Sequence, residues 1–327
     1  MKPGYRRLVF FAVLLALVVI VMGAYVRLSD AGLSCPDWPG CYGKMLVPSE
    51  EQDVLDANTA FPESPVVISR AWKEMFHRYL AAVLGLVIAL LAGLTWRRRR
   101  YSVRSIVLAN GLLVLVVFQA ALGMWTVTHL LKPIIVTAHL LGGMATLALL
   151  WWLWLSAKDV RAAPKTAVRV WAIASVVVVF AQIVLGGWTS ANYAALACTD
   201  FPTCRGAWWP EMEFAEAFSP WRELGQTSFG TPISAAGLTA IQIVHRVGAV
   251  ITLLVVGGFA GFLLWGSKIG VRLAATSVLV LLAVQIIIGV ATVVMARPLS
   301  FAVAHNLVAA LLLIAVLTLA QKANSVP

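Results

Sequence analysis

The chain has 327 residues, 61% apolar and only 12% charged, with a mean hydropathy of +0.89; this excludes an ordinary water-soluble protein and makes lipid its main solvent. The net charge of +11 does not signal a nucleic-acid partner. Most of the 25 Lys and Arg fall in the short segments on one side of a run of apolar stretches, and of the 14 acids only Asp159 shares that side.

A membrane span needs roughly 20 mainly apolar residues. The first such stretch, 8–28, follows Lys2, Arg6 and Arg7; it is too long for a secretory signal and no small-residue cleavage site follows, so it reads as a retained span. A long segment, 29–74, leads to spans at 75–96 and 105–128, separated by Arg97–Arg100 and Arg104. A fourth span, 133–155, runs into a basic linker, Lys158–Arg169. The fifth, 168–189, opens a second long segment, 190–237, and spans at 238–264, 271–295 and 300–320 complete the chain with Lys268, Arg272 and Lys322 between or after them. Basic residues in short loops mark the cytoplasmic side, so both termini are expected there and both long segments outside. Trp38, Trp72, Trp208, Trp209 and Trp221, with several prolines, predict that these segments are ordered caps on the outer membrane face.

The chain repeats itself. GAYVRLSDAGLSCPDWPGC from Gly23 to Cys41 returns as GGWTSANYAALACTDFPTC from Gly186 to Cys204, at an offset of 163. Phe76-His77-Arg78 returns as Val244-His245-Arg246, Gln119-x3-Gly123-x2-Thr126 as Gln285-x3-Gly289-x2-Thr292, and His139 as His305. Spans one to four therefore map onto five to eight as parallel repeats. The expected fold is an all-α integral membrane protein: two tandem pseudo-symmetric four-helix bundles, residues 1–157 and 158–327, each with one external loop (about 29–74 and 190–237).

Four of the five histidines obey the repeat; His129, beside Lys132 and Pro133, does not and reads as a solvated interfacial residue. An ionisable residue inside a span is costly and is read as functional by default. One alone could be a hydrogen-bonded core histidine, but a duplicated pair argues for ligands. Zinc wants four ligands, di-iron centres want more carboxylates, and blue copper wants a cysteine at the same site. Heme needs two axial ligands on facing helices, which His77 with His139 and His245 with His305 would supply. Arg78 and Arg246 could pair with heme propionates or simply snorkel to the interface. Glu74 stands one turn before His77, where the second copy has Gln242; it could serve proton chemistry there or be a solvated carboxylate. Cys35 and Cys41, like Cys198 and Cys204, stand in external loops with five residues between them and read as structural disulfides. A thiol redox role is the alternative, though the spacing is not that of a dedicated oxidoreductase.

With these pieces together the chain resembles the heme A synthase (CtaA/COX15) family over nearly its whole length. The resemblance is carried by VRLSDAGLSCPDWPGC, Glu74-x-x-His77-Arg78, Thr137-Ala138-His139, His245-Arg246 and Ala304-His305-Asn306. It implies oxidation of the C8 methyl group of heme O to a formyl group, through hydroxylated stages, giving heme A. It further implies that His77 and His139 take the substrate iron, His245 and His305 hold a heme B cofactor, and Glu74 is the catalytic carboxylate. Expected partners are heme O, a heme O synthase, an electron-transfer protein and membrane lipid, in the plasma (inner) membrane with the heme sites toward the external face. The rival readings are a di-heme, cytochrome b-like electron carrier and a heme transporter or chaperone.

Overall fold

The computed structural model describes residues 3–97, 102–156, 166–265 and 267–323. Lys2, Arg98–Arg100, Asp159 and the 157/158 boundary between the expected halves lie outside the described residues.

Helices α1 (Pro3–Leu28), α2 (Glu51–Ala60), α3 (Ile68–Arg97), α4 (Val103–Thr128), α5 (Pro133–Leu155) and α6 (Thr166–Ala191) are followed by a short 3-10 turn, Ala194–Leu196. Then come α7 (Phe214–Ala217), α8 (Ala235–Thr252), a π-type stretch Leu253–Gly257, α9 (Gly258–Leu264), α10 (Ile269–Val294) and α11 (Leu299–Ala323). Among the described residues eight helices are long and apolar enough to cross a membrane, α8 and α9 forming one of them. All eight expected spans are found; most start a few residues earlier than expected, while Pro133–Leu155 keeps its expected bounds. Helix α3 begins at Ile68, because Arg70 and Ala71 donate to the Val67 carbonyl and carry the helix past the charges at Lys73 and Glu74 that end the hydropathic signal. The first connecting segment is thus shortened to 29–67, and α2 lies inside it.

Local chemistry sets several helix starts. Ser102 accepts from the Ser105 amide before α4, Ser234 accepts from the Gly237 amide before α8, and Pro133 opens α5 where no amide hydrogen is needed. The α4–α5 turn places Leu130 and Leu131 in the left-handed region, and the α10–α11 turn does the same with Ala296 and Arg297. In each turn the second of these residues donates back to a threonine carbonyl, Leu131 to Thr126 and Arg297 to Thr292.

Helices α1, α3, α4 and α5 pack in a closed ring in that order. Helices α6, α8–α9, α10 and α11 pack in a second ring, and α5 and α11 form the centre by packing on each other and on α6 and α1 respectively. Large apolar side chains fill the ends away from the long loops: Ile88, Leu91, Leu112, Leu147, Leu150, Leu153, Leu313 and Leu319 are all fully buried. Nearer the loops the packing opens. No residue is buried within 76–83, 138–143, 244–251 or 299–307, the stretches that carry the four repeated histidines.

Candidate heme-holding sites

His77 stands roughly two and a half turns into α3 and His139 under two turns into α5; His245 and His305 stand at closely similar depths in α8 and α11. The two histidines of each pair are on diagonal helices of a ring, which meet through their neighbours. They are nonetheless close enough for their charges to interact, His77 with His139 and His245 with His305. Each imidazole lies against a glycine of an adjacent helix. A Cβ on Gly23, Gly123, Gly186 or Gly289 would sit 2.9, 3.5, 3.3 or 2.9 Å from Cε1 of His77, His139, His245 or His305. Alanine at Gly23 or Gly289 would displace the ring.

These pairs fit a heme better than a bare metal ion. Among the described residues no group of three or more His, Cys, Asp or Glu comes together, so a protein-only zinc or di-iron site is not built. The Nδ1 atoms of His77, His139 and His305 are buried without a partner of proper geometry, although the Val19 backbone lies against the His77 ring. Buried unpaired imidazoles are costly unless a ligand uses the ring. Two half-buried imidazoles across an apolar ring of helices match what a porphyrin requires.

The disulfide turn of each long loop is held beside the first histidine of its half in the same way. The disulfides Cys35–Cys41 and Cys198–Cys204 are formed. Inside each, an aspartate binds two amides of the following turn: Asp37 accepts from Tyr42 and Gly43, Asp200 from Arg205 and Gly206. Tyr42 and Arg205 are left-handed, and so are the glycines after them, which tolerate it at no steric cost. The Thr203 hydroxyl, then the Gly206 and Arg205 amides, hold the Asp200 carboxyl well below the usual carboxylate range.

The arginines after the first histidine of each pair pin these loops. Arg78 Nη1 donates to the carbonyls of Asp37, Pro39 and Gly40 at 2.9, 3.3 and 2.5 Å. Arg246 donates to Pro202 and Thr203 through Nη1 and to Cys198 and Asp200 through Nη2. Neither guanidinium extends freely into solvent, so a propionate would share it with the loop.

The halves differ at the carboxylate. Glu74 is buried; its Oε1 pairs with Arg78 Nη2 at 2.6 Å, and its Oε2 accepts from the amides of Ser34 and Cys35 at 2.8 and 3.0 Å. Gln242 is equally buried, but its Oε1 has no partner. Glu74 is therefore a loop anchor as well as a carboxylate one turn from His77, a bond pattern that hydropathy and spacing do not reveal. The glycines around the imidazoles were visible in the repeat, at 23/186 and 123/289, yet only packing shows what they touch. His129 is exposed at the end of α4 and, with Trp125 and Trp221, lines an apolar cavity of about 310 Å³.

Similarity to known proteins accords with this site. The heme A synthase of Shewanella oneidensis is 43% identical over 93% of this chain and 92% of its own length. Those of Methylobacterium radiotolerans and Hyphomonas neptunium are 28% and 29% identical, covering 96% and 92% of this chain and 88% of each relative. The COX15-CtaA family, described as cytochrome oxidase assembly protein, matches residues 6–317. By that match, spanning both histidine pairs, this multi-pass membrane chain belongs to the COX15-CtaA family.

Proposed function

We propose that the chain is a heme A synthase, an oxidoreductase that converts the C8 methyl group of heme O to the formyl group of heme A. The observation that carries the reading is one histidine pair per ring of helices, at matched depth, with a buried carboxylate beside only the first. The arrangement suits two unequal porphyrin sites: His77 and His139 for the substrate iron, His245 and His305 for a resident heme B. Two equivalent electron-carrying hemes would have no need of the Glu74/Gln242 difference.

The bound heme B would supply one-electron redox chemistry. The chain's own part is to hold and enclose. The imidazoles would hold the porphyrins, and the glycines beside them set the position of the imidazole rings. The stapled loop 34–41, tied to Glu74 and Arg78, keeps water from the first site. With three hydrogen bonds accepted, the Glu74 carboxylate keeps lone-pair capacity while anchored, so it can orient a water or accept a proton during methyl oxidation.

We also infer tandem pseudo-symmetry of residues 1–157 and 158–327. It is supported by the identical ring order of the helices and by contacts between matched positions: Arg27 donates to the Ser190 carbonyl, Tyr193 to Asp30, and Gln321 to the Leu155 carbonyl. The charge distribution supports cytoplasmic termini, with the loops and heme sites on the external face of the plasma membrane; reporter fusions placing loop 29–67 inside would overturn this. The activity is tested by co-expression with a source of heme O and chromatographic identification of the extracted hemes. Heme A should accumulate in proportion to the protein; heme O alone, at full expression, would exclude the reading.

A further inference from the structure

Around the histidines the two halves also differ in their side-chain amides. We propose that Gln182 is a positioning residue that fixes the imidazole of His245 and thereby makes the second histidine pair the one that retains its heme. The inference rests on the heme reading given above. Gln182 Nε2 lies 3.2 Å from His245 Nδ1 and donates to the His245 backbone carbonyl at 3.1 Å. Its Oε1 is buried without a partner, so the amide has both a donor and an acceptor to present to the ring, whichever nitrogen carries the proton. Space for this amide comes from Gly248, one turn beyond His245, where a Cβ would collide with Gln182.

At the positions matched by the repeat, the first half carries Val19 for Gln182 and Leu80 for Gly248. The amide and the glycine that admits it are thus present together in one half and replaced together in the other. The remaining histidines follow the same division. Gln285 Nε2 lies 3.2 Å from His305 Nε2, whereas its counterpart Gln119 packs over Gly142 with its Nε2 buried and unpartnered. Val308 occupies the matched position of Gly142 in the second half. Among the described residues both imidazoles of the second pair therefore lie beside a side-chain amide and neither of the first pair does; of the two contacts, the one from Gln182 is at Nδ1 and leaves Nε2 of its histidine free for iron, while the one from Gln285 is at Nε2.

An imidazole held by a neighbour is pre-oriented and loses less freedom on taking up a ligand. Partners of this kind also set the ring's basicity, and removing one typically weakens metal binding by roughly 10–100-fold. A resident cofactor calls for such bracing. A substrate that must enter and leave is better served by rings without it.

The test compares Gln182→Met, which keeps the length and removes the hydrogen bond, with Gln182→Glu, which keeps an acceptor. Both are purified as the full chain with heme B, and two quantities are read: the rate of heme transfer to excess apomyoglobin and the midpoint potential. Gln182→Met should release heme roughly 10–100-fold faster. Gln182→Glu should release it at close to the wild-type rate, with a lower potential because a carboxylate makes the imidazole a stronger electron donor. Unchanged rate and potential in Gln182→Met, or equal losses in both variants, would overturn the proposal. His245→Ala is measured alongside. If it keeps its heme, the heme assignment fails and this inference with it; if it loses heme while Gln182→Met does not, this inference alone fails. A transplant covers the case in which Gln182→Met does not accumulate. Val19→Gln with Leu80→Gly, in a His245→Ala background, should slow release of heme from the first half about tenfold, the low end of that range; an unchanged rate counts against the proposal.

Discussion

The loop over the first histidine pair is tied down three times, by the Cys35–Cys41 disulfide, by Arg78 and by Glu74, whereas the loop over the second has only its disulfide and Arg246 of those ties. Beneath the loops the order is reversed. The second pair of imidazoles is held by glutamine amides and the first is not. One scaffold has been fitted twice, once with a carboxylate gripping the disulfide turn above histidines that have no side-chain amide partner, and once with amide-partnered histidines below a disulfide turn that lacks the carboxylate. The lesson is that matched backbones do not imply matched sites. A handful of side chains at the loop end of each ring decides what each half can do.

The largest expected effect comes from removing the carboxylate that makes the lids unequal. Glu74→Gln should lower the ratio of heme A to heme O in extracts by about 10²–10⁴-fold if the carboxylate takes part in proton transfer. Heme B on His245 and His305 should remain. Because glutamine keeps one acceptor oxygen but loses the ion pair with Arg78, amide exchange at Ser34 and Cys35 should also quicken. Faster exchange with near wild-type conversion would reduce Glu74 to a loop anchor.

A smaller effect separates the two disulfides. Loss of such a bond typically costs about 2–4 kcal/mol. The double variant Cys198→Ser with Cys204→Ser should show a loss of that order in thermal unfolding of the purified protein. Cys35→Ser with Cys41→Ser should lose less, because Glu74 still binds the Ser34 and Cys35 amides. Equal losses would mean that the Glu74 tie adds nothing to the lid. Thiol labelling of the native protein should find no reactive cysteine before reduction.

The smallest effect is the pH response of the second loop. Asp200 binds the turn as a carboxylate, with its acidity strengthened by Thr203, Gly206 and Arg205. A folded-state value depressed below the unfolded one contributes stability that is complete above about pH 4, the ordinary aspartate value. That contribution is lost only as the pH falls below it toward the depressed value. Hydrogen exchange at Arg205 and Gly206 should therefore be insensitive to loss of the aspartate's charge until strong acid. Release of this turn between pH 5 and 7 would show that another group holds it.

Much of this molecule is legible along the chain because lipid imposes one-dimensional rules. A span must be apolar for its full length, so eight helices can be counted, and a costly intramembrane histidine stands out once it recurs at a fixed offset. Helix ends were less legible. Hydropathy stops at Lys73 and Glu74, while backbone hydrogen bonding continues α3 back to Ile68. The cap helix α2 escaped notice because its ten residues are mostly polar and lie between cysteine turn and span, where no apolar period marks them.

By itself the sequence determined the solvent, the span count, the duplicated histidines, the paired cysteines and the single unmatched carboxylate at Glu74, since each is a matter of residue type and spacing. Only the tertiary structure decided that Glu74 and Arg78 grip the first loop, that four glycines seat the four imidazoles, and that Gln182 and Gln285 turn to their histidines while Gln119 does not. Those contacts join different helices or join a helix to a loop. Residues distant along the chain leave no periodic trace of one another, and whether an amide meets a ring depends on whether the residue across the helix interface is a glycine or a valine.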